Sequence, residues 1–274
     1  MLKKKLSHLW AACCMFTRIP LWKIWSAPLD SYPYAVHHWM IAGGLVAALW
    51  AAFVFFLIYP WFPESITVLV LIIGSLFISG GFHEDGLADF FDGFGGGMTK
   101  DRILEIMKDS HIGTYGVLAL ICYFLTTFVS IGEWSSNFAG LYHSSFACFL
   151  IYTVTAIWSR FLASFVPATL KYVRTSDAAK AKMVYAPWTK WDYLYMIVLA
   201  VLVLFVFMYL FPYNIDGLVL WFLMPVIVLL FLYRIMKKRI QGYTGDCCGA
   251  TVLLCELSMN MTMAILAYYH VTSL

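Results

Sequence analysis

The chain has 274 residues, of which 62% are hydrophobic, 18% aromatic and only 12% charged, with a formal net charge of +3. Soluble domains carry about twice that share of charged residues, so an ordinary water-soluble fold is excluded. The small net charge gives no reason to expect a nucleic-acid partner.

The first segment combines Lys3-Lys4-Lys5 with a short apolar run, Leu9 to Phe16. No small-residue cleavage site follows before Arg18-Ile19-Pro20, so the spacing predicts an interfacial helix on the membrane surface rather than a signal peptide. Seven apolar runs of spanning length follow, at 41–59, 65–82, 115–132, 138–158, 193–211, 217–233 and 250–269. The alternating pattern of a barrel is absent, so the expected fold is all-α. It is a single integral-membrane domain over 1–274 with about seven transmembrane helices. The connections 60–64, 133–137 and 212–216 hold no Lys or Arg; all eighteen basic residues lie in the N-terminal segment and in the loops 83–114, 159–192 and 234–249. The positive-inside rule then puts the N-terminus and those loops in the cytoplasm and the C-terminus outside. The lipid bilayer is therefore an expected partner, with the working face on the cytoplasmic side.

The helix of the second span is expected to run on through Asp92 and stop at Gly93-Phe94-Gly95-Gly96-Gly97. Thr99 then offers an N-cap for a short helix over 100–109. Arg160 is expected to close the fourth span. The seven cysteines show no zinc spacing, and their positions in spans or on the inner face argue against disulfides.

Four of the fifteen acidic residues fall between Glu84 and Asp92, in His83-Glu84-Asp85-Gly86-Leu87-Ala88-Asp89-Phe90-Phe91-Asp92. Carboxylates near lipid are costly unless paired, hydrated or bound to a cation, so their concentration here marks a functional site. On a helix, Asp85, Asp89 and Asp92 at i, i+4 and i+7 lie within about 60° of one another. Like charges at that spacing repel unless a cation neutralises them, and hard oxygen ligands select Mg²⁺, Mn²⁺ or Ca²⁺. A second polar stretch, Gly242-Tyr243-Thr244-Gly245-Asp246, stands at the mouth of the last span, with Glu256 well inside that span. Arg160 and Arg174 suit phosphate oxygens through bidentate contacts, and Arg102 and Lys108 lie close in sequence to the carboxylates. Lys180, Lys182 and Lys190 are accounted for by the positive-inside bias. Together these residues indicate a divalent-metal-dependent membrane phosphotransferase.

The block from Gly81 to Gly116 resembles the cobalamin 5′-phosphate synthase (adenosylcobinamide-GDP ribazoletransferase) family. The matching pieces are Gly81-Phe82-His83-Glu84-Asp85-Gly86-Leu87-Ala88-Asp89, Asp92-Gly93, Gly96-Gly97, Arg102, and Leu104 through Ser110 with Gly113 and Gly116. Phe16-Thr17-Arg18-Ile19-Pro20 and Gly242-Tyr243-Thr244-Gly245-Asp246 extend the likeness over nearly the whole chain. The chain departs from it at Gln241, where glycine is common, at Cys247-Cys248, and at His37-His38. The resemblance implies Mg²⁺-dependent joining of adenosylcobinamide-GDP to α-ribazole or its 5′-phosphate, with release of GMP. It implies metal ligands among Asp85, Asp89 and Asp92 with Glu84 beside them, help from Asp246 or Asp109, and His83 or one of the aspartates as base. Arg102, Lys108, Arg160, Arg174 and Asp246 are the expected substrate contacts. A homo-oligomer or association with other cobalamin-assembly enzymes fits the same resemblance.

Two other readings predict different features. A cation or small-molecule transporter is expected to place acids within several spans and to show broken helices in two matching halves. A lipid-making CDP-alcohol phosphotransferase, similar around Asp85-Gly86, is expected to have Arg rather than Asp at position 89.

Overall fold

The computed structural model describes residues 2–139, 144–174, 185–210 and 215–272; Lys180 and Lys182 lie outside the described residues. These residues form ten α-helices: α1 Leu2–Phe16, α2 Trp39–Phe53, α3 Glu64–Ser79, α4 Phe82–Gly96, α5 Lys100–Ile106, α6 Thr114–Ala139, α7 Ser144–Thr169, α8 Lys190–Leu210, α9 Ile215–Arg239 and α10 Gly245–Thr272. Six helical stretches are long and apolar enough to cross a membrane, beginning with Leu29–Ile58, which adds the 3₁₀ turns before α2. The bent pair α3–α4 supplies a seventh if it counts as one span. The all-α, multi-pass architecture agrees with the apolar pattern, because only a helix satisfies its own backbone inside hydrocarbon.

Three expectations about elements are corrected. The second span does not continue as one helix through Asp92: Gly80 (φ 69°) and Gly81 (φ 71°) are both left-handed, and α4 leaves α3 at 87°. Consecutive left-handed residues cannot propagate a right-handed helix, and glycine adopts them without a Cβ clash. The fourth span lies at Ser145–Thr169 rather than 138–158, so Arg160 sits inside it instead of closing it. The short helix ends at Ile106, not 109; its start is as expected, with the Thr99 hydroxyl accepting from the Arg102 amide at 3.4 Å.

α10 is the axis of the bundle and packs against α4, α6, α7 and α9. Its small residues permit this, since close backbone approach replaces the hydrophobic effect as the packing device between membrane helices. Gly249 and Gly86 meet closely: a Cβ on Gly86 would lie 3.0 Å from the Asp246 carbonyl oxygen and 3.4 Å from the Gly249 Cα. α1 packs on the 3₁₀ segment Leu29–His38 and on α2, with His8 stacked on Tyr34 at 4.3 Å.

Candidate active site

The turn at Gly80-Gly81 directs α4 across α10, and the α4–α10 seam brings acids distant in sequence together. One ligand oxygen each from Asp85, Asp89 and Asp246 lies within 4.8 Å of the others, forming the one such three-ligand cluster among the described residues. Asp85 is exposed, Asp89 half-buried and Asp246 buried. Asp246 is braced: the Arg174 guanidinium lies 3.3 Å from Oδ2, and the Thr244 hydroxyl donates to the same oxygen at 3.2 Å. Arg174 is held there by a short backbone pairing, in which the Val173 amide donates to the Tyr243 carbonyl (3.0 Å) and the Tyr243 amide to that of Lys171 (2.9 Å). Gly242 permits this approach, since a Cβ there would stand 2.1 Å from the Lys171 carbonyl oxygen.

Asp92 does not join the cluster. It is buried, and its carboxylate accepts from the Gly113 amide at 2.7 Å and the Gly116 amide at 2.8 Å. These are unpaired N–H groups at the start of α6, so Asp92 caps a helix in another part of the chain. Glu84 points away from the cluster into a cavity that also contains Arg160 and Glu256. His83 is 3% exposed, stacks on Trp39 at 5.7 Å and lines that same cavity. The stripe predicted for Asp85, Asp89 and Asp92 is therefore divided: α4 crosses both α10 and α6, and its acids meet different neighbours along its length.

The predicted basic residues are scattered. Arg102 is exposed and paired with Glu105 at 2.7 Å; Lys108 is exposed just beyond α5. Arg160 is enclosed and donates to Glu256 at 2.6 Å, so it serves as that carboxylate's partner inside the bundle. Asp109 bonds the His111 amide and ring at 3.0 and 2.7 Å, and these bonds hold its carboxyl below the usual range. Arg239, which the spacing does not single out, donates to the carbonyls of Phe94 and Gly97 and so caps the C-terminal end of α4.

Three hard carboxylates on rigid helices, with no thiolate or imidazole among them, form a donor set that fits Mg²⁺ or Mn²⁺. An adjacent guanidinium adds an anchor for an anionic group.

The model of the cobalamin-5-phosphate synthase family matches residues 8–264. The adenosylcobinamide-GDP ribazoletransferase of Shewanella oneidensis is 35% identical over 259 residues, covering 93% of this chain and 92% of the relative. That of Shewanella sp. strain W3-18-1 is 34% identical over 255 residues (91% and 90%), and that of Vibrio parahaemolyticus 34% over 272 (94% and 91%). No solved structure matches the chain. The chain belongs to the cobalamin-5-phosphate synthase family.

Proposed function

We propose that this chain is an adenosylcobinamide-GDP ribazoletransferase whose reaction centre is the Asp85–Asp89–Asp246 cluster. The convergence of these three carboxylates across the α4–α10 seam is the observation on which this reading rests. A hydroxyl of α-ribazole or its 5′-phosphate attacks the phosphorus next to the cobinamide; the new P–O bond forms as the pyrophosphate P–O bond breaks and GMP leaves. Asp85, the exposed member, takes the hydroxyl proton. Arg174 holds Asp246 in place, and the exposed Arg102 and Lys108 attract the nucleotide phosphates.

Asp85, Asp89 and Asp246 would hold Mg²⁺, which supplies charge stabilisation at the phosphoryl oxygens. Of the residues expected as ligands, Asp92 and Glu84 are replaced in this reading by Asp246. His83 is left out of the chemistry, because its buried ring stacks on Trp39 and lines the inner cavity rather than joining the three-carboxylate cluster. The basic loops support a site facing the cytoplasm of a bacterial inner membrane.

The test is turnover by purified protein in liposomes, supplied with adenosylcobinamide-GDP and α-ribazole 5′-phosphate, with Mg²⁺ or EDTA. Equimolar GMP and corrinoid product should form only with the metal. Asp89→Asn and Asp246→Asn should each lower kcat by at least about 10²-fold, the scale of losing a group that stabilises the transition state. Arg174→Ala should cost about 10–100-fold, as for a residue that orients a ligand. Full Mg²⁺-dependent turnover by Asp246→Asn would remove it from the site.

A further inference from the structure

The stretch Phe16-Thr17-Arg18-Ile19-Pro20, at the end of α1, has no part in the site described so far. The fold places it on the bend between α3 and α4. The Arg18 amide donates to the Ile78 carbonyl at 2.7 Å, and the Phe16 ring meets Phe82 edge-on at 6.1 Å. The stem of Arg18 lies across Gly80, where a Cβ would collide with its Cγ, Cδ and Nε. Gly80 therefore serves twice: it takes the left-handed turn and leaves the bare surface on which Arg18 rests. A stem fixed in this way has little rotamer freedom left to lose when the guanidinium meets a ligand.

Arg18 borders a pocket of about 290 Å³ that Cys14, Thr17, Trp22, Gly80 and Phe82 also line. It is the only charged residue in that lining. Arg102, Arg160 and Arg174 each face a carboxylate, at 2.7, 2.6 and 3.3 Å, whereas Arg18 forms no ion pair among the described residues. The pocket's hydroxyls, Thr17 and Ser79, donate back to the carbonyls of Cys13 (2.7 Å) and Leu76 (3.2 Å), so the guanidinium is the donor left for an incoming group. Positive-inside bias accounts for a charge at this face, but not for a pinned stem beside a pocket. A planar guanidinium in that setting matches a phosphate.

The position of the pocket on α4 indicates which phosphate. Phe82, which lines it, lies within about 60° of Asp85 and Asp89 around the helix. The pocket thus opens at the N-terminal end of the face that carries two of the cluster's carboxylates. From Phe82 the axial rise is about 4.5 Å to Asp85 and about 10 Å to Asp89. We propose that Arg18 binds a phosphate group of the nucleotide donor. The inference rests on the transferase reading: the phosphorus under attack belongs at the three carboxylates, so the phosphate left for Arg18 is that of the departing GMP.

An anionic lipid headgroup offers the same chemistry, and the test separates the two sources. Unaltered full-length protein in phosphatidylcholine nanodiscs with EDTA would be labelled with phenylglyoxal, and mass spectrometry would follow the peptides that contain Arg18 and Arg234. EDTA leaves the carboxylate cluster no metal with which to hold a nucleotide. GMP should slow the labelling of Arg18 several-fold, with saturation, and leave the exposed Arg234 unchanged. Absence of protection by GMP would overturn the proposal; if phosphatidylglycerol in the nanodiscs then blocks the labelling, the pocket belongs to a lipid headgroup.

In turnover, Arg18→Gln should raise KM for adenosylcobinamide-GDP by about tenfold or more, the scale of one hydrogen bond to a charged group. Arg18→Lys should fall between, because it keeps the charge and loses the fork. KM for α-ribazole 5′-phosphate should stay unchanged. A fall in kcat alone, or equal rises in both KM values, would make Arg18 a support for the α3–α4 bend and overturn the proposal. Protection of Arg18 by GMP in protein that forms no corrinoid product would refute the transferase reading and leave the phosphate site standing.

Discussion

A carboxylate that accepts from two backbone amides can hold a helix start in place as firmly as it can hold an ion. Asp92 does the former, with bonds of 2.7 and 2.8 Å to Gly113 and Gly116. Both glycines are close-fitting, since a Cβ on either would stand 2.4 Å from an Asp92 oxygen. Asp92→Asn keeps the shape but loses the charge, and should cost about 1.5–3 kcal/mol, the range for hydrogen bonds to charged groups. Thermal unfolding should fall accordingly, while the Mg²⁺ concentration for half-maximal turnover stays near that of the unaltered protein. A large rise in that concentration would restore Asp92 as a ligand. At this scale the acids were legible in the sequence because they are scarce; their partners were not. Arg160 looked like the end of a span because a lone guanidinium is costly in lipid, and only the fold brings Glu256, 96 positions later, to within 2.6 Å of it.

The packing of α4 on α10 decides whether the site exists. With Gly86 and Gly249 in contact, Asp246 sits beside Asp85 and Asp89. Gly86→Ala places a methyl 3.0 Å from the Asp246 carbonyl and must move the helices apart by tenths of an ångström. Displacements approaching 1 Å at a reacting centre cost about 10²-fold. We expect kcat to fall by about tenfold or more with a small change in thermal midpoint; Gly132→Ala, where nothing lies within 4 Å, should leave turnover unchanged. Rates equal for the two variants would mean that the seam does not set the geometry. The Thr99 cap was readable because capping is local in sequence. The bend at Gly80-Gly81 was not, since a glycine pair is compatible with a helix until tertiary contacts select positive φ. Gln241 adopts φ 59°, a left-handed conformation in which its Cβ bears a steric cost.

For the molecule as a whole, the number of crossings depends on the bent α3–α4 pair. Six helical stretches are long and apolar enough to cross by themselves, and a seventh crossing would put the two termini on opposite sides. If the positive-inside rule puts the lysine-rich N-terminus in the cytoplasm, alkaline phosphatase fused after Leu274 should be active and a cytosolic reporter at the same point silent. The reverse result would make α3–α4 a re-entrant pair and leave six crossings. Apolar run length and charge asymmetry by themselves determined a helical, multi-pass membrane protein, because lipid imposes span length and backbone satisfaction on any sequence that enters it. The order of motifs along the chain likewise marks the family. Which acids meet was decided by tertiary structure alone. Linear spacing fixes angles on one helix, whereas Asp246 reaches Asp85 and Asp89 only because two left-handed glycines turn α4 across α10 and two more let the helices touch.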